Sequence, residues 1–175
     1  FQKAIPHLTH LPGMETGNVW SIEDVMMGTA ELGKRVIVLD EGGNWHGCGT
    51  AWKLADNRHE VSIITPDPLI GKELQRSAAD VPLRRTLATL GVHFITETVI
   101  AEWGVSGAKT LNLLTGAEDL IIADSLVLAT VNTVDNDLPN DLISHGIDFY
   151  LIGDAAAPRQ AAYAIYEGKK VALTI

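Results

Sequence analysis

Two short stretches of this chain hold residue types at spacings that could do chemistry. The first is Asp40-Glu41-Gly42-Gly43-Asn44-Trp45-His46-Gly47, directly behind an apolar run. A glycine-rich turn between a buried strand and a helix lets backbone amides approach a pyrophosphate at the positive helix end. The full fingerprint is G-x-G-x-x-G. Read from Gly42, the chain offers Gly42, Asn44 and Gly47; read from Asp40, only the middle glycine, Gly42, survives. Asp40 and Glu41 add negative charge where the phosphates would lie, and Trp45 adds bulk. Like charges a few ångströms apart cost roughly 1 kcal/mol even in water. The next strand should end in an acid that holds ribose hydroxyls, yet it ends in Thr65, with Asp67 beyond Pro66. Two readings therefore stand. Gly42, Gly43 and Gly47 either line a dinucleotide site or serve a tight turn and close helix–strand packing. Trp45 reads as a packed aromatic and His46 as a solvated loop histidine. Cys48 stands at a helix start, where a thiol pKa can fall; without a second cysteine it reads as a small buried residue.

The second stretch is Gly153-Asp154-Ala155-Ala156-Ala157-Pro158-Arg159-Gln160-Ala161. A buried strand ending in Gly-Asp, followed by small residues and a helix start, can bind sugar hydroxyls through the carboxylate. A phosphate or flat ring can then approach the helix end. The alternative makes Asp154 an ordinary turn or cap residue.

The elements that would position these stretches alternate. Ser21 caps a helix running to about Leu32, with Asp24 completing a capping box and Gly33 as the stop. Arg35–Leu39 and Val61–Thr65 read as strands buried on both faces. Between them Cys48–Asn57 is helical, with Ala51, Leu54 and Ala55 on one face. This βαβ unit requires a parallel sheet. Pro82–Leu90 is a helix stopped by Gly91, and Val92–Ile95 a third short strand. Three alternating segments near 98–103, 109–113 and 120–122, with glycine turns between, form an antiparallel meander. Ser125–Ala129 is again a buried strand. Residues 130–147 read as loop, 149–152 as a final buried strand, and Pro158 opens a last helix. Pro6 and Pro12-Gly13 mark a loop-like start.

Composition sets the outer limits. The 175 residues carry 13 Lys+Arg against 22 Asp+Glu, a net charge of −9. That balance speaks against nucleic acid and anionic lipid as partners, which demand clustered positive charge. A single cysteine excludes an internal disulfide and a four-cysteine iron–sulfur cluster supplied by this chain alone. No apolar run approaches the roughly 18 residues of a membrane span, and no secretory signal follows Phe1. A cytoplasmic location is expected, and the non-Met start reads as a processed chain or a fragment.

Gly33-Lys34-Arg35-Val36-Ile37-Val38, Leu126-Val127-Leu128-Ala129-Thr130 and Ile152-Gly153-Asp154 through Gly168 resemble flavoproteins with two dinucleotide-binding domains. Ile152–Arg159, together with Leu11-Pro12-Gly13-Met14-Glu15 and Asp24–Gly28, resembles the C-terminal region of the trimethylamine dehydrogenase and 2,4-dienoyl-CoA reductase group. These are old yellow enzyme-like proteins with added nucleotide-binding domains. The resemblance implies an α/β, Rossmann-like FAD/NAD(P)-binding fold with a parallel sheet, a βαβ unit and a three-stranded antiparallel meander. It implies that residues 1–33 are linker and helix of an incomplete FAD/ADP-type domain. Residues 34–130 would be an inserted NAD(P)-binding-like domain, and 131–175 the closing strand and helix of the FAD/ADP-type domain. The parent would be a flavin-dependent oxidoreductase, of amine dehydrogenase/demethylase or enoate reductase type. Its FMN and four-cysteine iron–sulfur cluster would lie in an upstream barrel. Gly153, Asp154, Arg159 and Gln160 would contact FAD or ADP, and Gly42, Gly43 and Gly47 would line any NAD(P)H site. No general acid, base, nucleophile or metal ligand is implied in this chain. The amine-oxidising branch passes electrons to an electron-transfer flavoprotein. The departures at Asp40–Trp45, and Val131 where many relatives have glycine, point towards that branch. The alternative is a degenerate domain without cofactor, serving as scaffold or docking surface for such a partner.

Overall fold

A computed structural model describes residues 11–175; Pro6 lies outside them. They fall into two compact units, residues 11–130 and residues 131–175.

The larger unit is built on five parallel strands, β1 (Val19–Ser21), β2 (Arg35–Asp40), β3 (Glu60–Ile64), β4 (His93–Ile95) and β8 (Ser125–Ala129), in the order β1-β8-β2-β3-β4. Between β4 and β8 the chain forms the antiparallel meander β5 (Thr98–Gly104), β6 (Gly107–Asn112) and β7 (Glu118–Ile122). The continuous apolar runs are explained by burial on both faces, since successive strand residues point opposite ways. Val36 and Val38 of β2 join one core with α2 (Trp45–Asp56) and α3 (Asp80–Thr89). Ile37 and Leu39 join the other, with Ile100 and Trp103 of β5. Trp103 ties the meander to residues 11–17, donating its indole N–H to the Gly17 carbonyl (3.1 Å) while its backbone amide meets Pro12 O (2.8 Å).

The capping box forms as read. The Ser21 hydroxyl accepts the Asp24 amide and the Asp24 carboxylate accepts the Ser21 amide. The helix it starts, α1 (Ile22–Met27), is shorter than expected. Gly28 turns left-handed (φ 75°), and its amide reaches the Asp24 and Val25 carbonyls, so the carbonyls of the last turn are met before Gly33 is reached. Ahead of α1, β1 joins this sheet in parallel register with β8, from Val19↔Leu126 to Ser21↔Leu128.

Two further expectations are corrected in residues 131–175. The supposed loop holds α4 (Asp137–Ser144). Pro139 is tolerated because it sits in the first turn, where amides have no intrahelical partner. Residues 149–152 form no strand; Tyr150, Leu151 and Ile152 are 63%, 44% and 39% exposed. A strand exists only through pairing, and residues 131–175 contain no other strand to pair with. The last helix, α5 (Ala161–Ala172), starts three residues after Pro158. Among the described residues no helix is long and apolar enough to cross a membrane.

Ile63 is fully buried in the middle of β3. Ile63→Ala is expected to lower unfolding stability by about 3 kcal/mol through the cavity it leaves. The check is a lower urea midpoint at unchanged slope.

Candidate functional site

The glycine turn leaves the sheet at the carboxyl end of β2, the strand lying between β8 and β3. At that place the strand order reverses, opening the crevice where α/β sheets take ligands. Asp40 is the last residue of β2, opposite Ala129 of β8. Its side chain is wholly buried. Oδ1 accepts the Gly43 amide at 2.9 Å, and the Cys48 thiol donates to Oδ2 at 3.7 Å. A Cβ on Gly47 would lie 2.5 Å from the Asp40 carboxyl carbon. Gly47 is therefore bare because the first turn of α2 passes directly over that carboxylate. Asn44 caps this helix, its side chain accepting the His46 amide at 2.8 Å.

Burial pushes the Asp40 carboxyl up from 3.8 to about 6, against hydrogen bonds from the Gly43 amide, the Cys48 thiol and the Gly42 amide. The negative charge of Asp67 adds to the rise. Cys48 is pushed up to about 12, by burial first and then by Asp40. It is the small buried residue expected, and its position at the start of α2 does not activate it. Trp45, read as packed, is 50% exposed, and His46 is exposed; both sit on the solvent side of the first helical turn.

A segment far along the chain covers the outside of the turn. Asp67 and Lys72 form an ion pair (2.7 Å), and the Glu73 amide donates to the Gly43 carbonyl (2.9 Å). Gly43 has φ 58° and is buried; a Cβ there would lie 3.3 Å from Lys72 Cβ and 3.4 Å from Asp67 Oδ2. Thr65, the residue after β3, is buried, its hydroxyl accepting the Asp67 amide (3.2 Å). Sequence reasoning placed Asp67 beyond a proline and passed over Lys72. Only the fold of residues 65–73 brings them to the turn.

In the smaller unit, Gly153 opens a short 3-10 turn, Gly153–Ala155, with φ 60°. A Cβ there would meet Ala164 of α5 at 2.9 Å. The Gly153 amide donates to Glu167 Oε2 at 2.8 Å, and Glu167 also holds the Arg159 guanidinium. These two contacts keep the Glu167 carboxyl below its ordinary range. Asp154 Oδ1 accepts the Arg159 amide at 3.3 Å, and Arg159 lies over the Tyr163 ring, 5.0 Å from its centroid. Gln160 sits at the N-cap of α5 and makes no side-chain cap hydrogen bond. Asp154, Arg159 and Gln160 are all exposed at one helix start, so the structure brings these expected site residues together. Glu167, which organises the turn, lies fourteen residues beyond Gly153 and was not among them. A Glu nearly two helical turns into α5, facing back towards a Gly-Asp turn, is a signal that only the helix period could have provided.

A cleft of about 270 Å³ opens at the opposite, amino-terminal end of β2–β4, lined by Arg35, His59, Glu60 and His93 among others. Arg35, His59 and Glu60 are engaged by the fold. Asp124 holds Arg35 (2.5 Å) and is itself drawn down to about 2 by that contact, while His59 Nδ1 meets the Gly33 carbonyl (2.9 Å). Among the described residues no group of three or more His, Cys, Asp or Glu is arranged to hold a metal ion.

No family model matches the chain. It is similar over almost its whole length to flavin-dependent oxidoreductases, and the match falls in their C-terminal part. A curated relative, NADH oxidase of Thermoanaerobacter brockii, is 28% identical over 173 residues, covering 97% of this chain and 26% of the relative. Cinnamate reductase of Clostridium sporogenes is 29% identical over 168 residues, covering 90% and 23%. Among solved structures, histamine dehydrogenase from Rhizobium sp. 4-9 superposes with a TM-score of 0.87 at 23% identity, over 98% of this chain and 29% of that one. The 6-hydroxypseudooxynicotine amine oxidase of Pseudomonas geniculata N1 superposes with 0.83 at 27% identity, over 96% and 26%. These likenesses bear out the resemblance and the Rossmann-like α/β fold. The chain spans about a quarter of the length of the relatives it matches.

The carboxylate under the turn generates two predictions. Gly47→Ala is expected to cost about 2 kcal/mol by overpacking, and Asp40→Gly in the same chain should remove most of that cost; a double-mutant cycle in urea reads the coupling. Because the Asp40 pKa is raised on folding, its favourable contribution is complete below about pH 4. That contribution is lost as pH rises through 6, by about 3 kcal/mol at most. Relative to wild type, Asp40→Asn should therefore gain stability between pH 4 and pH 7, as followed by denaturation at both values.

Proposed function

We propose that this chain is the nucleotide-domain portion of a flavin-dependent oxidoreductase that takes electrons from an amine. They pass between an upstream FMN and iron–sulfur module and an electron-transfer flavoprotein. The observation that carries this reading is the alignment of nearly the entire chain with two amine-oxidising proteins, at TM-scores of 0.87 and 0.83. The bound nucleotide is FAD or ADP, held in part by Gly153, Asp154, Arg159 and Gln160. The geometry of that turn supports the assignment. The Asp154 carboxylate is exposed for sugar hydroxyls, and the α5 start, with no side-chain cap, offers amides to a phosphate. Arg159 stands beside it, its guanidinium held by Glu167. Redox chemistry is the cofactors' own, and this chain's residues bind and orient. The relative named cinnamate reductase favours a second reading, an enoate-type reductase fed by NAD(P)H at Gly42, Gly43 and Gly47.

Anaerobic flavin reduction in the whole protein separates the two. An amine is expected to bleach the flavin while NADH and NADPH do not; bleaching by a reduced nicotinamide nucleotide would favour the reductase. Asp154→Ala is expected to lower the adenine nucleotide retained through purification at least tenfold. A wild-type protein that carries no adenine nucleotide would instead leave this region a scaffold for its redox partner.

A further inference from the structure

We infer that Asp40 is the glycine turn's own anion: its carboxylate takes the amide and the space that a dinucleotide pyrophosphate would need at Gly42–Gly47. The domain therefore carries a plugged nicotinamide-nucleotide site. The inference rests on the amine-oxidising reading above to the extent that such a protein needs no hydride from NAD(P)H.

Three features of the turn carry it. First, the Gly43 amide donates to Asp40 Oδ1 at 2.9 Å, so a backbone donor of the phosphate cradle already has an anionic acceptor. Second, glycine at 47, which in a working turn permits close helix–strand packing, here lets α2 pass directly over the Asp40 carboxyl group, whose carbon lies 2.5 Å from where a Cβ would stand. Third, the outside of Gly43 is covered by the Asp67–Lys72 pair and tied by the Glu73 amide on its carbonyl. The groups facing Asp40 deepen the block. Asp67 is negative and acts on Asp40, Cys48 is a neutral donor from α2, and Lys72 is bound to Asp67. An incoming pyrophosphate would meet carboxylates, and the Lys72 ammonium beside them is already paired with Asp67.

Calorimetric titration of the 175-residue chain with NADH and NADPH tests this, with ADP as a separate titrant for the Gly153–Gln160 turn. The wild type is expected to give no heat up to 1 mM nicotinamide nucleotide on the order-of-magnitude scale of affinity. Asp40→Gly is expected to bind at least about tenfold more tightly. Asp40→Asn, which keeps the occupying shape and the acceptor for Gly43, is expected to stay silent. Micromolar binding by the wild type overturns the inference. So does a folded Asp40→Gly that binds no better than wild type, or an Asp40→Asn that binds as well as Asp40→Gly, since charge alone would then be the barrier. If Asp40→Gly fails to fold, judged by its circular dichroism and melting, Asp40→Ala takes its place with the same expectation. ADP binding should be unchanged across this series, so its loss or absence bears on the proposed function and leaves the reading of Asp40 standing.

Discussion

A carboxylate taken wholly out of water must be supplied with donors or else protonated, and Asp40 meets that demand within eight residues of chain. Its position is not negotiable, because β2 is paired on both sides and ends at this residue. The chain behind it must therefore bend so that Gly43 turns its amide inward, which takes φ to 58°. The helix that follows must pass over the carboxyl group without a side chain at Gly47, and it brings the Cys48 thiol to the second oxygen. Beyond that contact α2 continues into one of the two cores through Cys48, Ala51, Leu54 and Ala55.

The same geometry separates fold from function. A parallel sheet with a glycine turn at its reversal point is a scaffold that hosts many chemistries, so it does not by itself say that a dinucleotide binds there. What decides is the population of the crevice. Here the inside holds a carboxylate and the outside is covered by Asp67, Lys72 and Glu73, all contributed by the segment after β3. The second turn, at Gly153, is arranged differently. Its internal acid, Glu167, sits behind the loop and holds the Gly153 amide and Arg159, leaving the Asp154 carboxylate at the surface. One turn is closed around its acid; the other is braced by an acid so that a different one can face outward.

The likeness extends over almost the whole chain and spans about a quarter of the length of each of the longer proteins it matches. Residues 149–152 illustrate what that means physically. Phe149-Tyr150-Leu151-Ile152 is apolar like β8, yet it forms no strand and leaves Tyr150, Leu151 and Ile152 exposed, while β8 is buried between two neighbours. Sequence supplies the propensity for a strand, whereas pairing makes one.

Much of the architecture was legible because its causes are local. The two-sided apolar runs of β2, β3 and β8, the Ser21–Asp24 capping box and the glycine turns of the meander all act within a few residues, and each appears as read. The end of α1 was missed because Gly28 and Gly33 offer the same stop signal, and the nearer one satisfies the helix carbonyls first. In the candidate site, Asp40 was recognised only as charge in the wrong place. Its role depends on how closely α2 crosses the strand end. Asp67 and Lys72 lie more than twenty residues from the glycine they cover, and Glu167 lies fourteen residues from the amide it holds. Local periodicity and capping follow from the covalent chain and are written in the sequence. Which acid faces inward and which faces solvent is set by long-range packing and desolvation, and only the tertiary structure decided it.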